Sequence, residues 1–145
     1  MRQFLQSWQF WALLSACFAA LTAIFAKVGV ENVNSDYATF VRTIVIVMAA
    51  GSIVYLSGQW QAPSEISTKS WVFLVMSGLA TGASWLCYFR ALKLGDASRV
   101  APIDKLSVVL VAIFAVLFLG EKLHPANWLG ILFITGGVLL VIYKA

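Results

Sequence analysis

Charge is scarce in this sequence: only 11% of its 145 residues are Asp, Glu, Lys or Arg. Soluble domains carry about 25% charged and about 45–50% apolar residues, whereas 61% of this chain is hydrophobic. These proportions exclude an ordinary soluble domain. Uncharged apolar runs recur along the whole chain, and a helix needs about 20 apolar residues to cross a bilayer. The sequence therefore predicts an integral membrane protein in contact with the lipid bilayer.

Histidine, cysteine and carboxylates are also few, with one His, two Cys and six Asp plus Glu residues. His124 has no group of ligating residues around it at the spacing of a metal site. Cys17 and Cys87 lie inside apolar runs, where cysteine behaves as a small hydrophobic residue. No serine or cysteine has a plausible base beside it, and no glycine-rich loop resembles a phosphate cradle. We expect neither enzymatic activity nor a metal or cofactor.

The apolar runs divide into five segments that are bounded by charge, proline or glycine. Their approximate bounds are 8–29, 37–57, 71–94, 100–119 and 127–143. Each is expected to be a helix, because unpaired backbone groups are too costly in hydrocarbon and five short spans cannot close a barrel. The prediction is an all-α bundle of five transmembrane helices in a single domain, 1–145. Residues 14–17 resemble a lipoprotein cleavage box, but the apolar run continues past Cys17 and no processing is expected.

The net charge of +4 does not indicate nucleic-acid binding, because the basic residues form no patch. They lie at the ends of the apolar segments, where they bias orientation in the membrane. One side would hold Arg2, Lys69 and Lys122, and the other would hold Lys27, Arg90, Lys93, Arg99 and Lys144. The richer side predicts a cytoplasmic C-terminus in a multi-pass protein of the cell inner membrane. The bias is small, so insertion in both orientations stays open.

Two cationic residues lie inside the first two predicted spans. Lys27 and Arg42 are about a turn or so from the nearest span end, so their long side chains can reach the interface. Turned inward, they would instead line a polar cavity and face anionic groups of a cargo. Arg42 is the stronger candidate for an inward position, because five residues of its span precede it.

A second group of candidates lies on the third helix. Ser84 and Tyr88 are four residues apart and share a face, with Trp85 beside them. Buried Trp and Tyr side chains need a partner for their polar ends, and the wall of a substrate cavity supplies one. Packing within the bundle or against lipid is the alternative.

The stretch 88–107 is unusually rich in charge for this chain. Arg90, Lys93 and Gly95 suit the end of a helix at a cytoplasmic turn. Pro102, Asp104 and Lys105 come later, in the first turns of the fourth predicted helix. Adjacent residues of a helix point about 100° apart, so Asp104 and Lys105 are not expected to form an ideal pair. Either they pair with other helices or they take part in gating or coupling, for which Lys27 is a further candidate.

Small residues mark possible contact faces between helices. Ala12, Ala16, Ala19 and Ala23 form a stripe on the first helix, and Gly78 and Gly82 form a GxxxG pair on the third. Small faces let helix backbones approach closely in lipid. They indicate a tight bundle or a dimer formed through helices.

Four motifs in order resemble the EamA domain of the drug/metabolite transporter superfamily. They are YFRALK at 88–93, ASRVAP at 97–102, FLGEKL at 118–123 and LGILFITGGVLL at 129–140. The match covers about residue 71 to the C-terminus, and the first 70 residues resemble the family more loosely. Most members of that family carry two such units as inverted repeats with the substrate cavity between them. The resemblance therefore implies alternating access by a homodimer, or by a pair with a related short-chain subunit, acting on a small-molecule substrate.

The chain also resembles the four-helix small multidrug-resistance transporters, which couple export to protons through a glutamate in the first helix. If Lys27 corresponds to the lysine that follows that glutamate, the glutamate position here is Ala19, and no carboxylate lies between Gln3 and Lys27. The departure favours neutral, zwitterionic or anionic metabolites over cationic drugs. A small multidrug exporter and a non-transporting scaffold or partner subunit remain the alternatives.

Overall fold

The computed structural model describes residues 7–143, which contain helices and no strand. The helices are α1 (Trp8–Val30), α2 (Ser35–Leu56), α3 (Thr68–Leu94), α4 (Ala97–Asp104), α5 (Ser107–Leu119) and α6 (Pro125–Tyr143), with one 3₁₀ turn at Pro63–Glu65. Five stretches of the described residues are long and apolar enough to cross a membrane, with α4 and α5 together forming the fourth. The predicted all-α fold with five spans is confirmed. Arg2 and Lys144, which enter the predicted orientation, lie outside the described residues.

By their contacts, the described residues divide into two compact units, 7–94 and 95–143. The first unit contains α1, α2 and α3, and the second contains α4, α5 and α6. The single domain 1–145 stays a prediction.

Local capping sets the start of α2 in the first unit. The Asn34 side chain accepts hydrogen bonds from the backbone N–H groups of Asp36 and Tyr37, at 2.9 and 3.2 Å. Asp36 lies in the first turn, where its negative charge complements the helix dipole. The short link between α1 and α2 therefore folds tightly, and α2 begins about two residues earlier than predicted.

Polar contacts join the three helices of the first unit at one end. The Lys27 ammonium donates to the carbonyl oxygen of Leu92 near the end of α3, at 2.8 Å. The Lys93 ammonium donates to the carbonyl oxygen of Val33 before α2, at 2.6 Å. The Leu92 carbonyl is one of the last four of α3, which have no partner within the helix, and Lys27 satisfies it. We call these two contacts, together with the Asp36–Arg90 pair, the end clamp.

The Asp36–Arg90 ion pair is an exposed contact of the end clamp. Its N–O distance is 3.2 Å, and the two side chains are 52% and 66% exposed. Exposed pairs contribute about 0–1 kcal/mol. The half-buried Lys27 contact is therefore expected to contribute more to stability.

The second unit shows how the fourth span departs from a continuous helix. Helix α4 begins at Ala97, three residues earlier than predicted, so Pro102 is its sixth residue and lies beyond the first turn. Proline has no N–H to donate to the carbonyl four residues earlier, and its ring crowds that carbonyl. The helix ends two residues later, and the bonds Leu106 N–H to Ile103 and Val109 N–H to Leu106, both 3.0 Å, have tighter 3₁₀ spacing.

Helix α5 ends at a glycine that the backbone requires. Gly120 has φ of +68°, the left-handed conformation that residues with a Cβ rarely adopt. The chain then turns into α6, where the His124 ring nitrogen accepts from the Ala126 N–H at 3.2 Å. His124 thus serves as a helix cap, and both α4 and α5 pack against α6.

Replacing Lys27 by methionine tests the end clamp. The Lys27→Met change keeps most of the side-chain stem but removes a charged hydrogen bond, worth about 1.5–3 kcal/mol. We expect Lys27→Met to lower the free energy of unfolding more than Asp36→Asn, which breaks the exposed pair at a cost under about 1 kcal/mol. Unfolding in mixed micelles by SDS, followed by circular dichroism, measures both. A larger loss for Asp36→Asn would contradict the assignment.

Candidate functional site

The candidate site lies in the first unit and centres on Arg42. Arg42 is seven residues after Ser35, so it lies about 10 Å along α2 from the start of the helix. The neighbouring hydroxyls of Thr39 and Thr43 donate to the carbonyls of Ser35 and Thr39, at 2.9 and 2.8 Å. These threonines satisfy their own polar groups within the helix. Arg42, in contrast, depends on residues outside α2 for contacts with its charged group.

Two aromatic rings of α3 hold the guanidinium of Arg42. Its central carbon lies 4.1 Å from the centroid of the Trp85 ring and 5.5 Å from that of Phe89. Trp85 and Phe89 are four residues apart and share a face of α3. Cation–π contacts of this kind contribute about 0.5–1 kcal/mol when exposed and about 2 kcal/mol when desolvated. The position of the cation within the span is thus fixed by aromatic faces.

A cavity of about 530 Å³ lies beside this group, within the size range of small-molecule sites. It is lined from α1 by Thr22, Phe25, Ala26 and Gly29, from α2 and the residues before it by Val33, Tyr37, Ala38, Val41 and Arg42, and from α3 by Phe89. Arg42 is the one charged residue among these ten lining residues. The arrangement combines an apolar wall with one cation and the hydroxyls of Thr22 and Tyr37. It is suited to an apolar molecule that carries a negative group.

The structure brings together three of the four predicted substrate-binding residues. Arg42 lines the cavity, Trp85 stacks on its guanidinium, and Tyr88 lies near Arg42. Ser84 is exposed and is not among the lining residues. The substrate-binding role of all four residues stays a prediction.

The predicted gating or coupling residues are divided between the two units. Lys27 belongs to the same unit but is used in the end clamp and does not line the cavity. Pro102, Asp104 and Lys105 belong to the second unit, at the junction of α4 and α5. Their role in gating stays a prediction.

Asp104 and Lys105 do pair with each other, which corrects one expectation from the sequence. The Lys105 ammonium lies 3.1 Å from a carboxylate oxygen of Asp104. A separation of about 100° between adjacent side chains holds only if a continuous α-helix runs through both residues. Because α4 ends at Asp104 and Lys105 lies in the following turn, that condition does not hold and two adjacent side chains can meet.

Sequence reasoning missed Phe89 and the α1 wall of the cavity. The four-residue spacing from Trp85 to Phe89 is the signal that would have found the second ring, since both residues fall on one helix face. Ala26 and Gly29 lie next to the alanine stripe of α1, which was interpreted only as a packing face. Within residues 7–143 no group of three or more His, Cys, Asp or Glu residues is placed to hold a metal ion.

Comparison with known proteins identifies relatives that are named as transporters. The EamA-like transporter family model matches residues 6–143. An uncharacterized transporter from the cobO 3' region of a Sinorhizobium species is 70% identical over 136 residues, which are 94% of this chain and 96% of that protein. No solved structure matches the chain.

Two longer relatives match only part of their own length. The uncharacterized transporter YxxF of Bacillus subtilis is 25% identical over 92% of this chain and 42% of its own length. The UDP-N-acetylglucosamine/UDP-N-acetylgalactosamine transporter nstp-4 of Caenorhabditis elegans is 31% identical over 63% of this chain and 25% of its own length.

The family match covers almost all of the chain and includes the described α1 to α6, so it extends the resemblance from the second half to the first. The five candidate spans agree with a protein that works within the bilayer. The chain belongs to the EamA-like transporter family of membrane proteins.

Proposed function

We propose that two copies of this membrane transporter form one substrate pathway and move a small metabolite by alternating access. The observation that carries the proposal is the Arg42 cavity, which places a cation and an apolar wall about 10 Å along a membrane span. Ionisable groups inside spans generally mark substrate or ion pathways. The role is transport rather than catalysis, as the family and the names of the relatives support.

The lengths of the relatives support a pathway built from two units. The match covers 96% of the Sinorhizobium transporter but 42% of the Bacillus transporter. The shorter relative therefore contains about one such unit, and the longer one has room for two. A second copy of this chain, or a related short subunit, supplies the missing half in the proposed assembly.

The open surface of α3 supports the same proposal. A Cβ added at Gly78 or Gly82 would meet nothing within 4 Å, so the first unit does not fill this small face. The neighbouring Val75 and Leu79 are also exposed. Small-residue faces on membrane helices let a second helix approach closely. The Gly78–Gly82 face is thus the proposed contact between the two copies.

Bulky residues at this face are expected to separate the copies and abolish transport. The double change Gly78→Leu and Gly82→Leu adds two side chains where a helix would pack. Single-molecule photobleaching in liposomes should count one subunit per particle for the variant and two for the unchanged protein. Uptake of radiolabelled leucine, putrescine, uracil, glucose and benzoate should show at least one transported class for the unchanged protein and none for the variant.

Ala80→Leu is the matched control, because Ala80 is exposed and lies on nearly the opposite side of α3. It introduces the same residue without touching the glycine face, so dimerisation and uptake should both persist. A Gly78→Leu/Gly82→Leu protein that stays dimeric would overturn the proposed contact. A dimer of the unchanged sequence that moves none of the five probes would contradict the proposed function.

We further propose that the protein lies in the inner membrane with its C-terminus in the cytoplasm. Lys27, Arg90 and Lys93 gather at the end-clamp side of the first unit, which supports a cytoplasmic location for that side. A C-terminal green fluorescent protein fusion should fluoresce, and a C-terminal alkaline phosphatase fusion should be inactive. An active phosphatase with no fluorescence would reverse the orientation, and activity of both fusions would indicate dual insertion.

A further inference from the structure

The Arg42 guanidinium has no negatively charged partner in the part of the chain that the structure describes. Within residues 7–143, the guanidinium lies against the rings of Trp85 and Phe89, with Tyr88 nearby. The two ion pairs of the described residues are Asp36–Arg90 and Asp104–Lys105. A cation within a membrane span rarely lacks a negatively charged partner, because such residues pair with one another or face a pathway.

The aromatic contacts leave the hydrogen-bonding capacity of Arg42 unused. Cation–π attraction acts between the charge and the ring face and does not require the N–H donors. A guanidinium carries five such donors in a planar fork that matches the two oxygens of a carboxylate. Charge-assisted bonds of this bidentate kind are among the stronger hydrogen bonds in proteins. Arg42 is therefore held in position with its donors available to the cavity that it lines.

The residues of the cavity wall limit which ligands can bind to the N–H donors of Arg42. One positive charge faces the cavity, and the other lining residues are apolar apart from the hydroxyls of Thr22 and Tyr37. An ammonium group would find no carboxylate among the lining residues. A second negative charge on the ligand would also be uncompensated. A charge left unpaired among apolar side chains is costly, so the wall disfavours amines, amino acids and phosphate esters alike.

We propose that the Arg42 cavity binds a small organic monoanion, a carboxylate with an apolar or aromatic body. The inference rests on the proposed transport function and names the substrate class of the same site. The carboxylate pairs with the Arg42 guanidinium, and the apolar body packs against residues such as Phe25 and Val41. Neutralisation of both charges lets the ligand enter the membrane span without an unpaired ion.

Equilibrium binding of radiolabelled benzoate to the purified protein in phosphatidylcholine nanodiscs tests the proposal. Unlabelled phenylacetate should compete, whereas phenylalanine, phenethylamine and phenyl phosphate should not. Arg42→Gln should weaken benzoate binding roughly tenfold or more. Arg42→Lys should restore part of the affinity, because lysine keeps the charge and loses the planar fork.

Arg99→Gln is the control for Arg42→Gln, since it removes an exposed cation outside the first unit and should leave benzoate binding unchanged. If Arg42→Gln fails to fold, Val41→Trp provides the second variant. It keeps Arg42 and fills the cavity from an exposed lining position. Circular dichroism monitors folding, and Val41→Trp should also lose benzoate binding.

Several outcomes would overturn the monoanion assignment. They are equal benzoate affinity in Arg42→Gln and the unchanged protein, competition by phenylalanine as strong as that by phenylacetate, or unaltered binding in Val41→Trp. Nanodiscs that contain phosphatidylglycerol test for a lipid headgroup as the source of the anion. Loss of benzoate binding in those nanodiscs would make the cavity a lipid site and overturn the proposal.

Failure of this inference can be told apart from failure of the proposed function. A dimer that transports leucine or uracil and does not bind benzoate refutes the substrate class and leaves transport standing. A dimer that binds benzoate through Arg42 and moves none of the probes refutes the transport proposal and supports the binding site.

Discussion

A guanidinium inside a bilayer has no bulk water to hydrate it, and the arrangement of α1, α2 and α3 follows from that constraint. Placing an arginine at the centre of a membrane helix costs about 2.5–3.5 kcal/mol on insertion scales, with less expected nearer the interface. Arg42 meets this cost with the faces of Trp85 and Phe89. These rings provide attraction without a fixed negative charge. The cation is stabilised and yet remains able to accept an anionic ligand.

The same constraint explains the end clamp. Where helices end near the interface, their last carbonyl groups lack partners within the helix. Lys27 of α1 supplies such a partner to Leu92 of α3, and Lys93 of α3 donates to Val33 in the link before α2, which ties all three helices together at one end. A charged side chain costs much less free energy near the interface than in the middle of the bilayer. The unit therefore has a fixed end and, along α1 and α2, a cavity with one cation.

The number of spans and their helical nature could be predicted from the sequence because hydrocarbon permits few alternatives. Apolar length sets each span, and caps such as Asn34 and Gly120 set the ends to within a few residues. The break in the fourth span was harder to foresee. It depends on where α4 begins, since Pro102 is harmless in a first turn and disruptive one turn later. A shift of three residues at the start changed the outcome.

The charged residue of the candidate site could be predicted from the sequence more readily than the residues that surround it. Arg42 stands out because ionisable residues are rare inside membrane spans, and Trp85 and Tyr88 because the polar ends of their rings need partners there. Phe89 carries no polar atom and looks like any packing residue until α2 and α3 are placed side by side. Ser84 shares a helix face with Tyr88, but Arg42 contacts the face of α3 that carries Trp85 and Phe89 instead. Contacts between helices decide such questions, and periodicity within one helix does not.

The central claim is that Arg42 faces a water-accessible cavity rather than lipid. Reactivity of single cysteines at Val41, which lines the cavity, and Phe40, which does not, tests this claim at nearly equal depth in α2. Both Val41→Cys and Phe40→Cys would be made after Cys17 and Cys87 are replaced by alanine, and treated with a membrane-impermeant anionic methanethiosulfonate. The cavity predicts rapid labelling at position 41 and little at position 40. Labelling at position 40 with none at position 41 would contradict it.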